Sequence, residues 1–419
     1  MNAVKRAAPL AAVIAAAALL IFWPAGCSRT QPSPPVSGPA GWRGDGTGRF
    51  PDANPPTEWD GDTRKGVLWS VEVGKCRYSS PIVAGDRVFV ACEPDLMVCI
   101  DAASGKKLWE KATTFDDLPT EIEPKPIHPE TGNVSPTPVS DGKFVYMVFG
   151  NSLVTCFDMD GNRKWIGYIE DPCPTVYGRS ASPVLCGGKL IAAMNCLRAF
   201  DATTGKEVWK NVEIDEGYGS PVAAKIGGVD VIVAPGGQIV QASDGKLLLA
   251  EGMNSLTYAS LSVVDGVAYG LDSTSYAARL PDKIAEPLAI KKLWGQDLDD
   301  DFFSSGVVHD GLVYAANNKG QLYVLDAADG RIVYQKALDI PNDSGAEGVA
   351  PGNIYPSISL AGKFIYVSND KGDTLVLQPG KEYKEIAHNR LNDGSGATPF
   401  FAGKRIYVRG EETLYCLGQ

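Results

Sequence analysis

The densest acidic run in the chain is Asp297, Asp299, Asp300 and Asp301, beside Phe302 and Phe303. Clustered carboxylates suit a hard cation such as Ca²⁺, but this spacing matches no EF-hand-like loop, so a solvated turn is the expectation. The nine cysteines are the next candidates for chemistry. None has the CxxC spacing of a zinc site. Cys99, Cys156 and Cys416 fall at one recurring place, where Val324 and Ala199 stand in other copies of the pattern, and read as small apolar core residues. Cys92, Cys186 and Cys196 fall in or near strands. Cys76 and Cys173 lie in loops, where an oxidising compartment permits a disulfide. Of the three histidines, His128 and His388 read as connection residues and His309 as the end of a strand. None has a Ser or Cys partner in a nucleophile motif, which argues against a hydrolase. Gly227-Gly228 and Gly236-Gly237 belong to β-turns; a phosphate loop would need a helix behind it.

One aromatic set remains. Tyr78, Tyr177, Tyr218, Tyr258, Phe303 and Tyr355 each come just ahead of a short strand-like run. If those runs are the inner strands of a ring, these residues surround one mouth of a central funnel, together with Arg77, Arg179 and Asn353. Aromatic and Arg side chains at a concave mouth suit binding of a peptide, sugar or cofactor. The same aromatics could instead plug the funnel and pack blade on blade.

The elements that would position them are a repeat. Its clearest copy starts at Ser79-Ser80-Pro81 with Ile82-Val83, turns at Ala84-Gly85-Asp86 and continues as Val88-Phe89-Val90. A hairpin at Glu93-Pro94-Asp95 leads to Met97-Val98-Cys99-Ile100, and Asp101-Ala102-Ala103-Ser104-Gly105 turns into Lys106-Lys107-Leu108-Trp109. Four short strands recurring every few tens of residues are the mark of propeller blades. Further copies begin near Ser135, Ser182, Ser220, Ser260, Ser305, Ser357 and Thr398. The closing turn returns as Asp158 to Gly161 before Trp165, Asp201 to Gly205 before Trp209, and Asp326 to Gly330 before Tyr334. Asp caps such a turn with its carboxylate, Gly takes the left-handed backbone angle, and the aromatic suits a seam between sheets. The last copy stops after Thr413-Leu414-Tyr415-Cys416, one strand short, while residues 67–73 carry the matching Trp-bearing pattern ahead of the first copy. The early strand therefore completes the last blade, predicting an all-β, eight-bladed propeller of four-stranded antiparallel blades.

The bulk numbers agree with a folded body. Of 419 residues, 44% are hydrophobic and 21% charged, which excludes disorder. The net charge of −11 falls to −13 without the leader that carries Lys5 and Arg6, so a nucleic-acid partner is not expected. That leader, residues 1–26, has the two basic residues, an apolar run over 7–23 and small residues Ala25 and Gly26 before Cys27. It reads as an export signal with a lipobox-like end, although Pro24 stands where that pattern usually has Leu. Simple cleavage or retention as an anchor are the other readings. Residues 27–41, rich in Pro and Ser, form an expected tether, residues 42–66 a lead-in, and residues 67–419 the propeller.

The turn Asp-x-x-x-Gly-x-x-x-Trp resembles the repeat of the quinoprotein, or pyrroloquinoline-quinone-like, β-propeller family over about residues 42–419. Gly41-Trp42-Arg43-Gly44-Asp45-Gly46-Thr47-Gly48 and Pro56-Thr57-Glu58-Trp59 are similar to the lead-in of exported propellers of planctomycete-type bacteria. The resemblance implies one of two branches. One comprises dehydrogenases that hold the quinone and Ca²⁺ in the funnel. The other comprises scaffolds such as the propeller lipoprotein of the outer-membrane β-barrel assembly machine. Fold alone does not choose between them. The enzyme branch implies a carboxylate base, oxygen ligands for Ca²⁺ and a disulfide of adjacent cysteines, and no two cysteines are adjacent here. The expectation is a non-catalytic cell-envelope scaffold. It would need no cofactor, bind envelope proteins, and be lipid-anchored at Cys27 to the outer membrane facing the periplasm, or be free in the periplasm. A diverged quinone-dependent dehydrogenase or a carbohydrate-binding propeller is the alternative, with a small molecule or sugar as ligand.

Overall fold

The computed structural model describes Met1 and residues 39–419, apart from 125–126, 130, 171–177, 195, 215–216 and 341–352. The expected leader, Cys27, Cys173 and Tyr177 lie outside the described residues.

Eight antiparallel sheets carry the described chain. Blade one is Ile82–Ala84, Arg87–Cys92, Leu96–Asp101 and Lys107–Ala112, in that order from the axis outward. Its burial runs from complete in the first strand to mostly exposed in the fourth. The sequence follows that gradient: the inner strands are continuous apolar runs, and Lys107, Glu110 and Lys111 decorate the outermost one. Blades two to seven repeat this order, and the ring closes as expected. Val67–Glu72 pairs with Thr413–Leu417 as the outer strand of blade eight, with Trp69 opposite Cys416 and Val71 opposite Leu414.

The seams are built by the closing turns. Asp101 and Asp201 accept the N–H groups of Ser104 and Thr204, 2.7 and 2.8 Å away. The glycine of each turn lies under an indole from the preceding blade. A Cβ on Gly105 would stand 2.7 Å from Trp69, on Gly205 2.5 Å from Trp165, and on Gly330 2.6 Å from Trp294. Each indole N–H donates across the seam: Trp69 to Ala102, Trp109 to Met159, Trp165 to Ala202, Trp209 to Ala242 and Trp294 to Ala327, at 2.9–3.3 Å. Cys99, Cys156 and Cys416 sit opposite Trp109, Trp165 and Trp69 on the third strands, where Ala199 and Val324 face Trp209 and Tyr334. All five are fully buried, and burial pushes those three thiols up to about 12, so they stay protonated and inert at neutral pH.

The lead-in is part of the packed body. Arg49–Phe50 adds a parallel strand to Ser359–Ala361 of blade seven. Phe50 packs on Phe400 and Phe401 of blade eight with ring centroids 5.1 and 5.2 Å apart, and Trp59 stacks on Tyr366. Ala40 exchanges hydrogen bonds with Ser140 of blade two.

Two glycines of blade one separate backbone strain from packing. Gly85 (φ +63°) has nothing within 4 Å of an added Cβ, whereas Gly105 (φ +75°) is roofed by Trp69. Gly85→Ala is expected to cost about 1 kcal/mol and Gly105→Ala about 3 kcal/mol, read by denaturant unfolding. Equal losses would refute the seam role of the glycine.

Candidate functional site

Around the axis, the inner strands contribute side chains in tiers, because residues two apart in an extended chain face the same way. The middle tier is a closed circle of hydroxyls. The backbone N–H of Ser80 donates to Thr137 Oγ1 (2.9 Å), Thr137 to Ser182 Oγ (3.0 Å), Ser182 to Ser220 (2.9 Å) and Ser220 to Ser260 (2.7 Å). Ser260 donates to Ser305 (2.8 Å), Ser305 to Ser357 (3.1 Å), Ser357 to Thr398 (2.9 Å), and Thr398 back to Ser80 (2.9 Å). Every blade gives one N–H and one hydroxyl. The sequence places the second copy at Ser135, but the ring residue there is Thr137. Two hydroxyl-Pro dipeptides stand in tandem, Ser135-Pro136 and Thr137-Pro138, and only the second is in register.

Two residues earlier in each blade lies the upper tier: Tyr78, Ser135, Ser180, Tyr218, Tyr258, Phe303, Tyr355 and Gly396. Five of these are aromatic, and they touch in an arc. Tyr218 stacks on Tyr258 (5.5 Å between centroids), Tyr258 meets Phe303 edge-on (4.8 Å), Phe303 stacks on Tyr355 (4.9 Å), and Tyr355 meets Tyr78 (5.4 Å). The arc is half-buried, passes over Gly396 of blade eight and stops at Ser135 and Ser180 of blades two and three. Gly396 leaves room for Tyr78, whose ring would lie 2.3 Å from a Cβ there. In blade three the place belongs to Ser180, and Tyr177 lies outside the described residues.

Below the hydroxyl circle the lead-in closes the channel. Trp42 lines the cavity, and the Arg43 guanidinium lies 5.3 Å from its ring. Arg43 is fully buried. It donates to Ser262 Oγ (3.2 Å) of blade five, to the Gly306 carbonyl of blade six, to the Ile358 carbonyl (3.3 Å) leading into blade seven, and to its own loop at Thr47 (3.2 Å). Burial pulls its pKa down to about 9, still high enough to keep the charge at neutral pH. The arrangement is a cavity of about 340 Å³ with an aromatic lip, a hydroxyl wall and Trp42 at its floor, against which Arg43 packs. Sequence reasoning missed this floor, since Arg43 meets partners more than two hundred residues away.

The other expected mouth residues lie apart from the cavity. Arg77 is exposed and lines, with Lys75, Tyr78, Glu93, His128, Asp370 and Glu411, a neighbouring groove of about 520 Å³. Burial raises the pKa of both Glu93 and Asp370. Glu93 accepts the N–H groups of Asn133 and Val134, and Asp370 that of Asn353, so these carboxylates tie connections together. Arg179 donates to Ser152 Oγ of blade two. The acidic run is a loop in which Asp300 pairs with Lys319 at 2.6 Å. His388, expected in a connection, belongs to the outer strand Glu385–Arg390, 3.5 Å from Asp373. Cys76 is buried, with its thiol 3.3 Å from the Ser79 carbonyl. Among the described residues no carboxylate lines the cavity, so its donor set does not fit a quinone held with Ca²⁺, a cation that takes charged oxygen ligands.

These tiers, the seam indoles and the closing strand define an eight-bladed propeller whose repeats are similar to pyrroloquinoline-quinone-like ones. It is similar to the outer membrane protein assembly factor BamB. The family of that description matches residues 62–195 and 290–347. BamB of Moranella endobia is 22% identical over 326 residues, covering 78% of this chain and 68% of that protein. Two further relatives of the same description are covered over only 45% and 63% of their own lengths. Among solved structures, BamB from Moraxella catarrhalis superposes with a TM-score of 0.58 at 12% identity, over 84% of this chain and 98% of that one. The quinohemoprotein alcohol dehydrogenase of Comamonas testosteroni gives a TM-score of 0.59 at 11% identity, over 88% of this chain and 78% of that one. At such identities the structural likeness is one of fold.

Thr398→Val removes the hydroxyl that receives the Ser357 N–H while keeping the shape. The stranded amide should cost about 1–3 kcal/mol in denaturant unfolding. A change below about 0.5 kcal/mol, the usual scatter of substitutions that break no specific contact, would show the circle to be dispensable.

Proposed function

We propose that this protein is a non-catalytic scaffold of the cell envelope that binds envelope proteins through the face bearing the aromatic arc. The observation that carries this reading is the similarity to an outer membrane protein assembly factor across 78% of the chain. The chemistry of the face supports it. Two of the five touching aromatics, Tyr78 and Tyr355, line an open groove with the exposed Arg77, and aromatic and Arg side chains are the groups that most often anchor protein interfaces. Tyr258 and Tyr355 are half-exposed and packed on one another's neighbour Phe303, so they present rigid apolar area at low entropic cost.

The test is co-purification from envelopes after mild cross-linking, with the double variant Tyr258→Ala/Tyr355→Ala as comparison. Outer-membrane assembly proteins should be recovered with the parent protein, and recovery should fall about tenfold or more in a variant that keeps its unfolding midpoint, as expected when central aromatic anchors are lost. Equal recovery, or none from the parent, refutes the reading.

Attachment by a lipid on Cys27, with the body facing the periplasm, belongs to the same proposal. It is supported by the order of basic residues, apolar run and small residues ahead of that cysteine. Cys27→Ser should move the protein from the detergent phase to the aqueous phase in Triton X-114 partition and abolish labelling by a fatty-acid probe. Unchanged partition of the variant would remove Cys27 from the anchor.

A further inference from the structure

The hydroxyl circle has a second, unused capacity. Each of its eight oxygens accepts one backbone N–H from the adjacent blade. A hydroxyl can also donate, and among the described residues none of the eight donates to a protein acceptor. Seven of them line the cavity. An N–H feeding an O–H polarises it toward donation, so the wall is a band of strengthened donors converging on one space.

The nearest charge on the floor side is a cation. No carboxylate lines it among the described residues, while the tier below holds the buried Arg43 guanidinium. Its partners are carbonyls and a hydroxyl, and its Nε has no hydrogen-bond partner. Asp45 of the same loop offsets this charge only in part, since it is not among the hydrogen-bond partners of the guanidinium, and the remaining positive potential disfavours a second cation and favours an anion.

We propose that the central cavity is a binding site for a small oxyanion, either an organic carboxylate or an inorganic ion of the same oxygen-acceptor chemistry. The hydroxyl band donates to its oxygens, Arg43 supplies the field from below, and the arc above covers an apolar remainder where one exists. Hydrogen bonds to an ionised acceptor are shorter and stronger than neutral ones, so a few of the seven donors suffice.

Calorimetric and thermal titrations of the full chain with sodium acetate and sodium nitrate, against sodium chloride at equal ionic strength, test this. Acetate or nitrate should bind saturably and raise the unfolding temperature beyond the chloride control. Tighter acetate binding assigns a carboxylate, and tighter nitrate binding an inorganic ion. The variant Ser220→Thr/Ser305→Thr keeps both ring hydroxyls, as Thr137 and Thr398 already do, while adding two methyls to the cavity. It should weaken binding by about tenfold or more, a loss expected when donors are blocked from a charged acceptor. If that variant does not fold, crystals of the parent soaked in selenate decide, with an anomalous peak expected inside the ring. No saturable effect beyond chloride, unweakened binding by a folded variant, or selenate only on the outer surface would overturn the proposal.

Discussion

The inner edge of every blade faces the axis of a circle, where no further strand can pair with it. Eight N–H groups would be stranded there, each at a cost of about 1–3 kcal/mol when buried. The neighbouring blade's hydroxyl solves this for all eight at once. Because the bond joins a main-chain atom to a short side chain, it fixes each blade's height and angle relative to the next. The other axial features inherit that register. Residues two positions before the hydroxyl form the aromatic lip, and Ser262, two positions after Ser260, receives Arg43.

A second set of contacts closes the ring at larger radius. Indoles over glycines rivet the seams after blades eight, one, two, three and five. Blade four offers Leu249 at the equivalent place, blade six Tyr334 and blade seven Ala387. The seam between blades seven and eight, where the side chain is smallest, is reinforced at its inner strands by Phe50, which pairs with blade seven and packs on Phe400 and Phe401 of blade eight. Trp59 extends that packing on blade seven, where the Asn389 side chain accepts the Trp59 N–H and donates to the Thr57 carbonyl. The lead-in thus supplies apolar area where the repeat does not.

Much of this was legible because the signals are local. The turn Asp101 to Gly105 before Trp109 specifies its own geometry within a few residues, and the Trp-bearing pattern of 67–73 matched the incomplete last copy. Two kinds of feature escaped. Register slid where a motif is doubled, so Ser135 stood for Thr137. Long-range satisfaction left no trace at all. Nothing near Arg43 in the chain announces that its guanidinium will reach the carbonyl of Ile358, 315 residues on. That the hydroxyls at the start of each copy are hydrogen-bond links was likewise invisible, because the partner of each sits in the next blade.

Closure of the ring also sets an order of events. Thr398 and Ser80 are joined by one of the eight axial bonds across 318 residues of chain, and the strand Val67–Glu72 finds its ladder only in Thr413–Leu417. As the chain folds, seven blades can assemble from neighbouring segments while Val67–Glu72 waits with an unpaired edge. A strand from the early part of the ring is thus among the last to be fastened, and until Thr413–Leu417 reaches it the blades form an open arc.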